Sequence, residues 1–220
     1  MADPITKIND EHPVTKFIYY IVKKILDIFF GIIGSIIAIP IIIIAKIAYI
    51  CHGDFHKVLF MQERIGKNGK IIKIFKLRTM VPNADKMLDD MMKKDKKLAE
   101  EYKKYKKIKN DPRITKVGKF LRVASFDEFP QFFNILIGNM TVVGPRPYLP
   151  REKKDMGKYY KNIIKTKPGI TGYWQVNGRN ETDFQYRLVL DEYYSKHKSL
   201  IMDIKIIIKT ILQVIFRKGL

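Results

Sequence analysis

The sequence has one cysteine, Cys51, in 220 residues. An intrachain disulfide and a cysteine-rich zinc site are therefore excluded, which agrees with a reducing compartment. Acidic residues are scarce: 22 Asp and Glu face 42 Lys and Arg, leaving a net charge of +20. That excess suits partners rich in phosphate, whether nucleic acid, anionic lipid or a phosphorylated substrate, and charge alone does not choose among them. The phosphate-loop spacing GxxxxGK[ST] is absent. So is an Asp-x-Asp motif, which weakens a glycosyltransferase acting directly on sugar. Aromatics make up 12% but do not interleave with basic residues as a base-stacking groove would require. No fixed-period repeat is present. Hydrophobic residues at 46% are ample for a core, so wholesale disorder is excluded.

What is there begins with a long apolar run, Ile25 to Ile50. Eighteen uncharged residues separate Asp27 from Lys46, the lower limit for a membrane-spanning helix. No small-residue cleavage site follows, so a signal peptide fits poorly. Pro40 removes a backbone donor mid-run, predicting a kink or break. The run reads as a kinked span, as two half-helices re-entering one leaflet, or as a buried soluble helix. Lys16, Lys23 and Lys24 precede it and Lys46, His52, His56 and Lys57 follow it. Positive residues prefer the cytoplasmic side, so the re-entrant arrangement is favoured.

Runs 58–65 and 71–80 flank Gly66-Lys67-Asn68-Gly69-Lys70, a hairpin signal. The composition of 84–109 predicts one helix, ended by Asn110-Asp111-Pro112, with lysines for solvent or for anionic headgroups. Helices are also expected over 126–137, 151–165 and 183–195. In the last helix, 200–216, Lys205 and Lys209 share a face, which suits either a membrane interface or core packing. The fold class expected is α+β and mainly helical. It comprises an N-terminal tail (1–14), a re-entrant helix-break-helix (15–52), and a catalytic domain (53–220) with a small β-hairpin and amphipathic interface helices.

The sharpest feature is Ser125-Phe126-Asp127-Glu128-Phe129-Pro130. Ser125 and Glu128 have capping-box spacing, which would set Asp127 and Glu128 in a first helical turn. The free N–H groups there would keep Asp127 ionised. Two such carboxylates can divide labour, one attacking phosphorus and one holding Mg²⁺. A plain cap explains the same residues, and Asp-Glu also occurs at Asp10-Glu11 and Asp191-Glu192. The surrounding Arg113, Lys116, Lys119, Arg122, Arg146 and Arg179 favour phosphate chemistry, because guanidinium forks match phosphate oxygens.

These residues belong to a set of blocks that resembles the monotopic phosphoglycosyl transferases, bacterial sugar transferases that start glycan assembly. The blocks are Gln62-Glu63-Arg64-Ile65-Gly66, Phe75-Lys76-Leu77-Arg78-Thr79-Met80, Asp111-Pro112-Arg113-Ile114-Thr115, Leu121 to Gln131, Val143-Gly144-Pro145-Arg146-Pro147 and Pro168 to Asn180. They run in order from about Lys23 to the C-terminus. The resemblance implies transfer of a sugar-1-phosphate from a UDP-sugar to a polyprenol phosphate with release of UMP. It makes Asp127 the nucleophile and Asp127 with Glu128 the Mg²⁺ site. It assigns Lys76, Arg122, Arg146 and Arg179 to substrate phosphates, and Arg78 in the same block is added to that set. It further implies an anionic bilayer as partner, no nucleic acid, allowance for a homodimer, and the cytoplasmic face of the bacterial inner membrane. A sensing or polytopic N-terminal domain, present in larger relatives, is not expected here. The family commonly has Ser-Pro at the helix break, whereas this chain has Ile39-Pro40. Ser35, one turn earlier, is the candidate to bond a carbonyl freed by the proline. The alternative class is a membrane-tethered basic protein binding nucleic acid or anionic lipid, with salt-sensitive affinity and no need of Asp127.

Overall fold

The computed structural model describes residues 13–178 and 182–216. The expected tail (1–14) lies outside these residues except for Pro13 and Val14, which already belong to the first helix. That helix, α1 (Pro13–Cys51), is a single element with Pro40 inside it. The two half-helices expected are thus one: helical backbone continues through the proline. Ser35 does not compensate for it, since its buried Oγ has no hydrogen-bond partner.

One stripe of α1 packs on the rest of the chain. Gly31, Gly34, Ser35, Ala38 and Ala45 are buried there. A Cβ at Gly34 would lie 2.2 Å from the Phe132 ring, so the small residue is what lets α5 (Gln131–Ile137) approach. The other faces expose Phe17, Ile21, Ile25, Phe29, Ile36 and Ile43, among other apolar side chains. Only 28% of the most apolar window is buried. An apolar surface that continuous marks a membrane-associated element.

Strands β1 (Leu59–Ile65) and β2 (Ile71–Leu77) form the expected antiparallel hairpin, pairing Leu59 with Leu77 and Ile65 with Ile71. Its turn uses the Asn-Gly chemistry anticipated: Asn68 (φ 58°) and Gly69 (φ 79°) are both left-handed. A second pair was not anticipated. Strands β3 (Thr141–Val143) and β4 (Gly169–Thr171) run parallel, with Thr141 opposite Gly169. Three residues each are too short for a periodic signal.

The helix expected over 84–109 is two, α2 (Ala84–Lys94) and α3 (Lys96–Tyr105). Asp95 separates them because its carboxylate accepts the N–H groups of Lys97 and Leu98, starting a new helix. α4 (Lys116–Val123) follows, capped by Thr115. The polar helix expected over 151–165 is also broken. It comprises short turns, α6 (Lys153–Met156) and α7 (Tyr160–Ile163), divided at Gly157 with φ 50°. α8 (Tyr173–Asn177), α9 (Phe184–His197) and α10 (Leu200–Ile215) complete the chain. α10 packs on the core along one side and leaves an apolar face exposed on the other. Met202, Asp203 and Ile206 pack inward, while Ile201, Ile204, Ile208, Ile211 and Ile215 face out.

Buried Asn134 pins α5 to the hairpin: its Oδ1 accepts Phe75 N–H at 2.8 Å and its Nδ2 donates to Lys73 O at 2.8 Å. At α4, a Cβ on Gly118 would sit 2.0 Å from the Thr79 carbonyl oxygen. Backbone cannot yield cheaply there, so Gly118→Ala should destabilise the protein by about 1–3 kcal/mol, as overpacking does. Denaturant unfolding checks this; an unchanged midpoint would show that the contact relaxes freely.

Candidate active site

Asp127 and Glu128 do not sit in a capping box. Ser125 is left-handed (φ 55°), and its side chain caps nothing. Instead its N–H donates to Arg122 O at 3.0 Å, so it closes α4. The acids lie in a 3₁₀ turn, Phe126–Glu128, and Pro130 starts α5. The expected single helix over 126–137 is therefore a 3₁₀ turn followed by a helix.

This turn faces the base of the hairpin. Lys76 Nζ lies 3.3 Å from Glu128 Oε1 and 3.9 Å from Asp127 Oδ2. Asp127 is the more enclosed acid, its side chain 13% exposed against 44% for Glu128. Burial pushes the Asp127 carboxyl above the ordinary carboxylate range, Glu128 adds to this, and Lys76 and Arg122 oppose it. The charged form of Asp127 is favoured first by the Lys76 and Arg122 cations and then by a backbone N–H of its own 3₁₀ turn.

Arg122 comes from α4 and is oriented by its Nε bond to Thr79 Oγ1 at 2.9 Å. Arg78 is engaged by other partners. Its guanidinium lies over the Tyr49 ring at 4.2 Å, donates to Lys57 O and Met80 O, and meets Asp54 at 2.9 Å. These contacts tie the hairpin base to the end of α1. Arg113 is likewise engaged, with Asp111 at 2.6 Å; Lys116 and Lys119 are exposed. Arg179 lies outside the described residues.

Arg146 sits on the Pro145–Pro147 loop with its guanidinium 5.5 Å from the Trp174 ring centre. Its backbone N–H donates to Asp191 Oδ2 at 3.1 Å, and Tyr148 Oη donates to the same oxygen at 2.6 Å. Arg64 connects this cluster to the acid pair, within electrostatic reach of both Arg146 and Glu128. It is buried, donating to Pro147 O at 2.9 Å and to Gln62. Neither Arg64 nor Asp191 was singled out as a site residue from sequence. Arg64 lies inside the Gln62–Gly66 block, which was the available signal.

Among the described residues, no group of three or more His, Cys, Asp or Glu gathers as a metal cage. Mg²⁺ needs none: one or two carboxylates, waters and substrate phosphate oxygens complete its shell. Adjacent Asp127 and Glu128 fit that mode. An enclosed carboxylate, a second carboxylate and a fringe of cations can take a diphosphate and a metal together.

Comparison with known proteins agrees with this chemistry. The family model described as bacterial sugar transferase matches residues 18–217. An undecaprenyl-phosphate galactose phosphotransferase of Salmonella typhimurium is 40% identical over 197 residues, covering 90% of this chain and 41% of the relative. A UDP-glucose:undecaprenyl-phosphate glucose-1-phosphate transferase of Klebsiella pneumoniae is 37% identical, covering 90% and 41%. The exopolysaccharide production protein ExoY of Sinorhizobium fredii is 34% identical, covering 90% of this chain and 87% of its own. The chain thus spans about two fifths of the Salmonella and Klebsiella relatives and most of ExoY. With the family model matching nearly its whole length, this chain belongs to the bacterial sugar transferase family.

Proposed function

We propose that the chain transfers a sugar-1-phosphate from a UDP-sugar to a polyprenol phosphate, through a phosphosugar ester on Asp127. The observation carrying this is the enclosed Asp127 beside Glu128, both facing Lys76. In the first step an Asp127 carboxylate oxygen attacks the β-phosphorus of the donor. The bond from that phosphorus to the α–β bridging oxygen breaks, and UMP leaves with the electron pair. In the second step an oxygen of the polyprenol phosphate attacks the same phosphorus. The aspartyl ester bond breaks, the carboxylate is restored, and a polyprenyl diphosphosugar forms. Covalent catalysis splits one hard displacement into two. Lys76 and Arg122 offset the charge on the attacking and transferring groups. Arg146, and Arg179 by its motif, bind phosphate oxygens. Glu128 with Asp127 would hold Mg²⁺, which when bound would neutralise diphosphate charge.

The acceptor stays in the bilayer, so the site must lie at its surface. We read α1 as entering and leaving one leaflet, its continuous helix kinked at Pro40 without a break in the backbone. Its attachments support this. Asp27 Oδ1 accepts from Thr141 Oγ1 and Val142 N–H at 2.8 and 2.7 Å. Gly31 and Gly34 meet α5. Tyr49 Oη donates to Arg78 O at the other end. A bilayer crossing needs about 20 residues between attachments to one side, and the contacts leave no such stretch. Both ends would therefore share the cytoplasmic face of the inner membrane.

The test is the nucleotide released. Full-length protein given UDP-sugars, Mg²⁺ and polyprenol phosphate should yield UMP and lose turnover with EDTA. Release of UDP would exclude the proposed reaction.

A further inference from the structure

Away from the acid pair, four lysines lie in one neighbourhood: Lys198 is on Thr166, and Lys23 and Lys67 are close enough to act electrostatically on both Lys198 and Lys167. Lys198 is buried, 8% exposed, and donates its Nζ to Thr166 Oγ1 at 3.1 Å. Lys167 follows Thr166 in the chain and is half-buried. Lys67 lies at the hairpin tip, where the next residue, Asn68, donates its N–H to Ile164 O at 2.7 Å. Lys23 reaches Val143 O, on the strand paired with β4, at 2.8 Å.

The acids nearby are committed elsewhere. Asp27 accepts from Thr141 and Val142. Asp203 is taken by Lys23 at 2.7 Å, with Tyr19 and Tyr194 on the same carboxylate. Among the described residues, Lys67, Lys167 and Lys198 form no ion pair with a carboxylate. Burial, together with Lys23 and Lys67, pushes Lys198 down to about 8. A buried ammonium with a hydroxyl as its partner is costly, and an anion would offset that cost.

The cluster stands where the apolar helices meet the body. Lys23 is on α1, whose outward side chains there are Phe17, Ile21 and Ile25, and Lys198 lies two residues before α10, whose Ile201 is exposed. With those apolar side chains in a bilayer, its headgroups would lie at this junction. Lys67 and Lys76 are at opposite ends of the hairpin, roughly 20 Å apart at the strand rise.

We propose that Lys67, Lys167 and Lys198 form a second anion site, separate from the Asp127 site, which holds the phosphate of an anionic phospholipid headgroup. Acylation footprinting tests it on the full chain in vesicles of phosphatidylcholine, with and without phosphatidylglycerol. Phosphatidylglycerol should protect Lys67 and Lys167 from modification; soluble glycerol phosphate added to phosphatidylcholine vesicles should not. Equal labelling in both vesicles would overturn the proposal, and equal protection by glycerol phosphate would overturn the lipid as its ligand. As a second measurement, phosphatidylglycerol retention in neutral detergent is read by native mass spectrometry. The variant K67Q/K167Q should retain it about 25-fold more weakly, from about fivefold per interfacial lysine. Undiminished retention would also contradict the site. If the variant fails to fold, the footprint on the unaltered protein decides.

Discussion

Asp127→Asn should abolish turnover, by about 10⁴-fold or more, without weakening the fold. Loss of a covalent nucleophile removes the pathway rather than tuning it, and what remains comes from binding and electrostatics. Asn matches Asp in size, so packing around the 3₁₀ turn is kept. Burial already opposes the charged form of Asp127. Removing that charge relieves a desolvation penalty, so thermal stability should hold or rise. Functional groups held against their solvation preference commonly show this trade of stability for activity. Steady-state UMP release with parallel thermal unfolding separates the outcomes. Lost activity with lost stability would mean that Asp127 is structural. Retained activity would remove it from the chemistry.

Lys76→Met should lower turnover about 10²–10³-fold, the range for removing one preorganised group that stabilises developing charge. The hydrophobic stem is kept, so the β2 pairing with Phe60 has no reason to fail. Its pH signature is specific. Lys76 draws the Asp127 carboxyl down against the upward push of burial. Without the ammonium that pull is lost, and the Asp127 carboxyl moves higher. Because the nucleophile acts as the carboxylate, the acid limb of the rate profile should shift to higher pH, and raising the pH should recover part of the rate. A uniform loss at every pH would place Lys76 on substrate phosphate alone.

Much of the architecture was legible because local chemistry and global fold agree. Asn68-Gly69 demand left-handed backbone and obtain it in the hairpin turn. Asp183 opens the helix expected over 183–195, and its carboxylate caps the N-terminus of α9. The Asp127 turn shows where such reading stops. Ser125 and Glu128 have the spacing of a helix start, but the same serine also follows α4, and the end of that helix takes it. A motif of four residues cannot tell which neighbour will claim it. Arg78 shows a similar limit: its charge is answered by Asp54 and the Tyr49 ring, partners 24 and 29 positions away in sequence. Arg64 is charged yet buried on a short strand, where the Pro147 carbonyl and Gln62 accept its donors across contacts the local sequence does not announce.

The continuous path of α1 has the same origin. Proline and glycines argue locally for a break, but helix contacts on both sides of Pro40 hold the backbone helical. Gly34 lies against Phe132 before it, and Ala45 and Tyr49 pack in the cluster of Leu77, Val117 and Leu121 after it. Tertiary packing of this extent outweighs one missing backbone hydrogen bond.

The covalent step is open to direct weighing. Purified protein is incubated with donor and Mg²⁺ but no acceptor, then its intact mass and the peptide bearing Asp127 are measured. The account predicts a gain equal to one sugar phosphate, located on Asp127 and discharged when polyprenol phosphate is added. An unmodified protein that nonetheless turns over, or a donor cleaved to UDP, would contradict it.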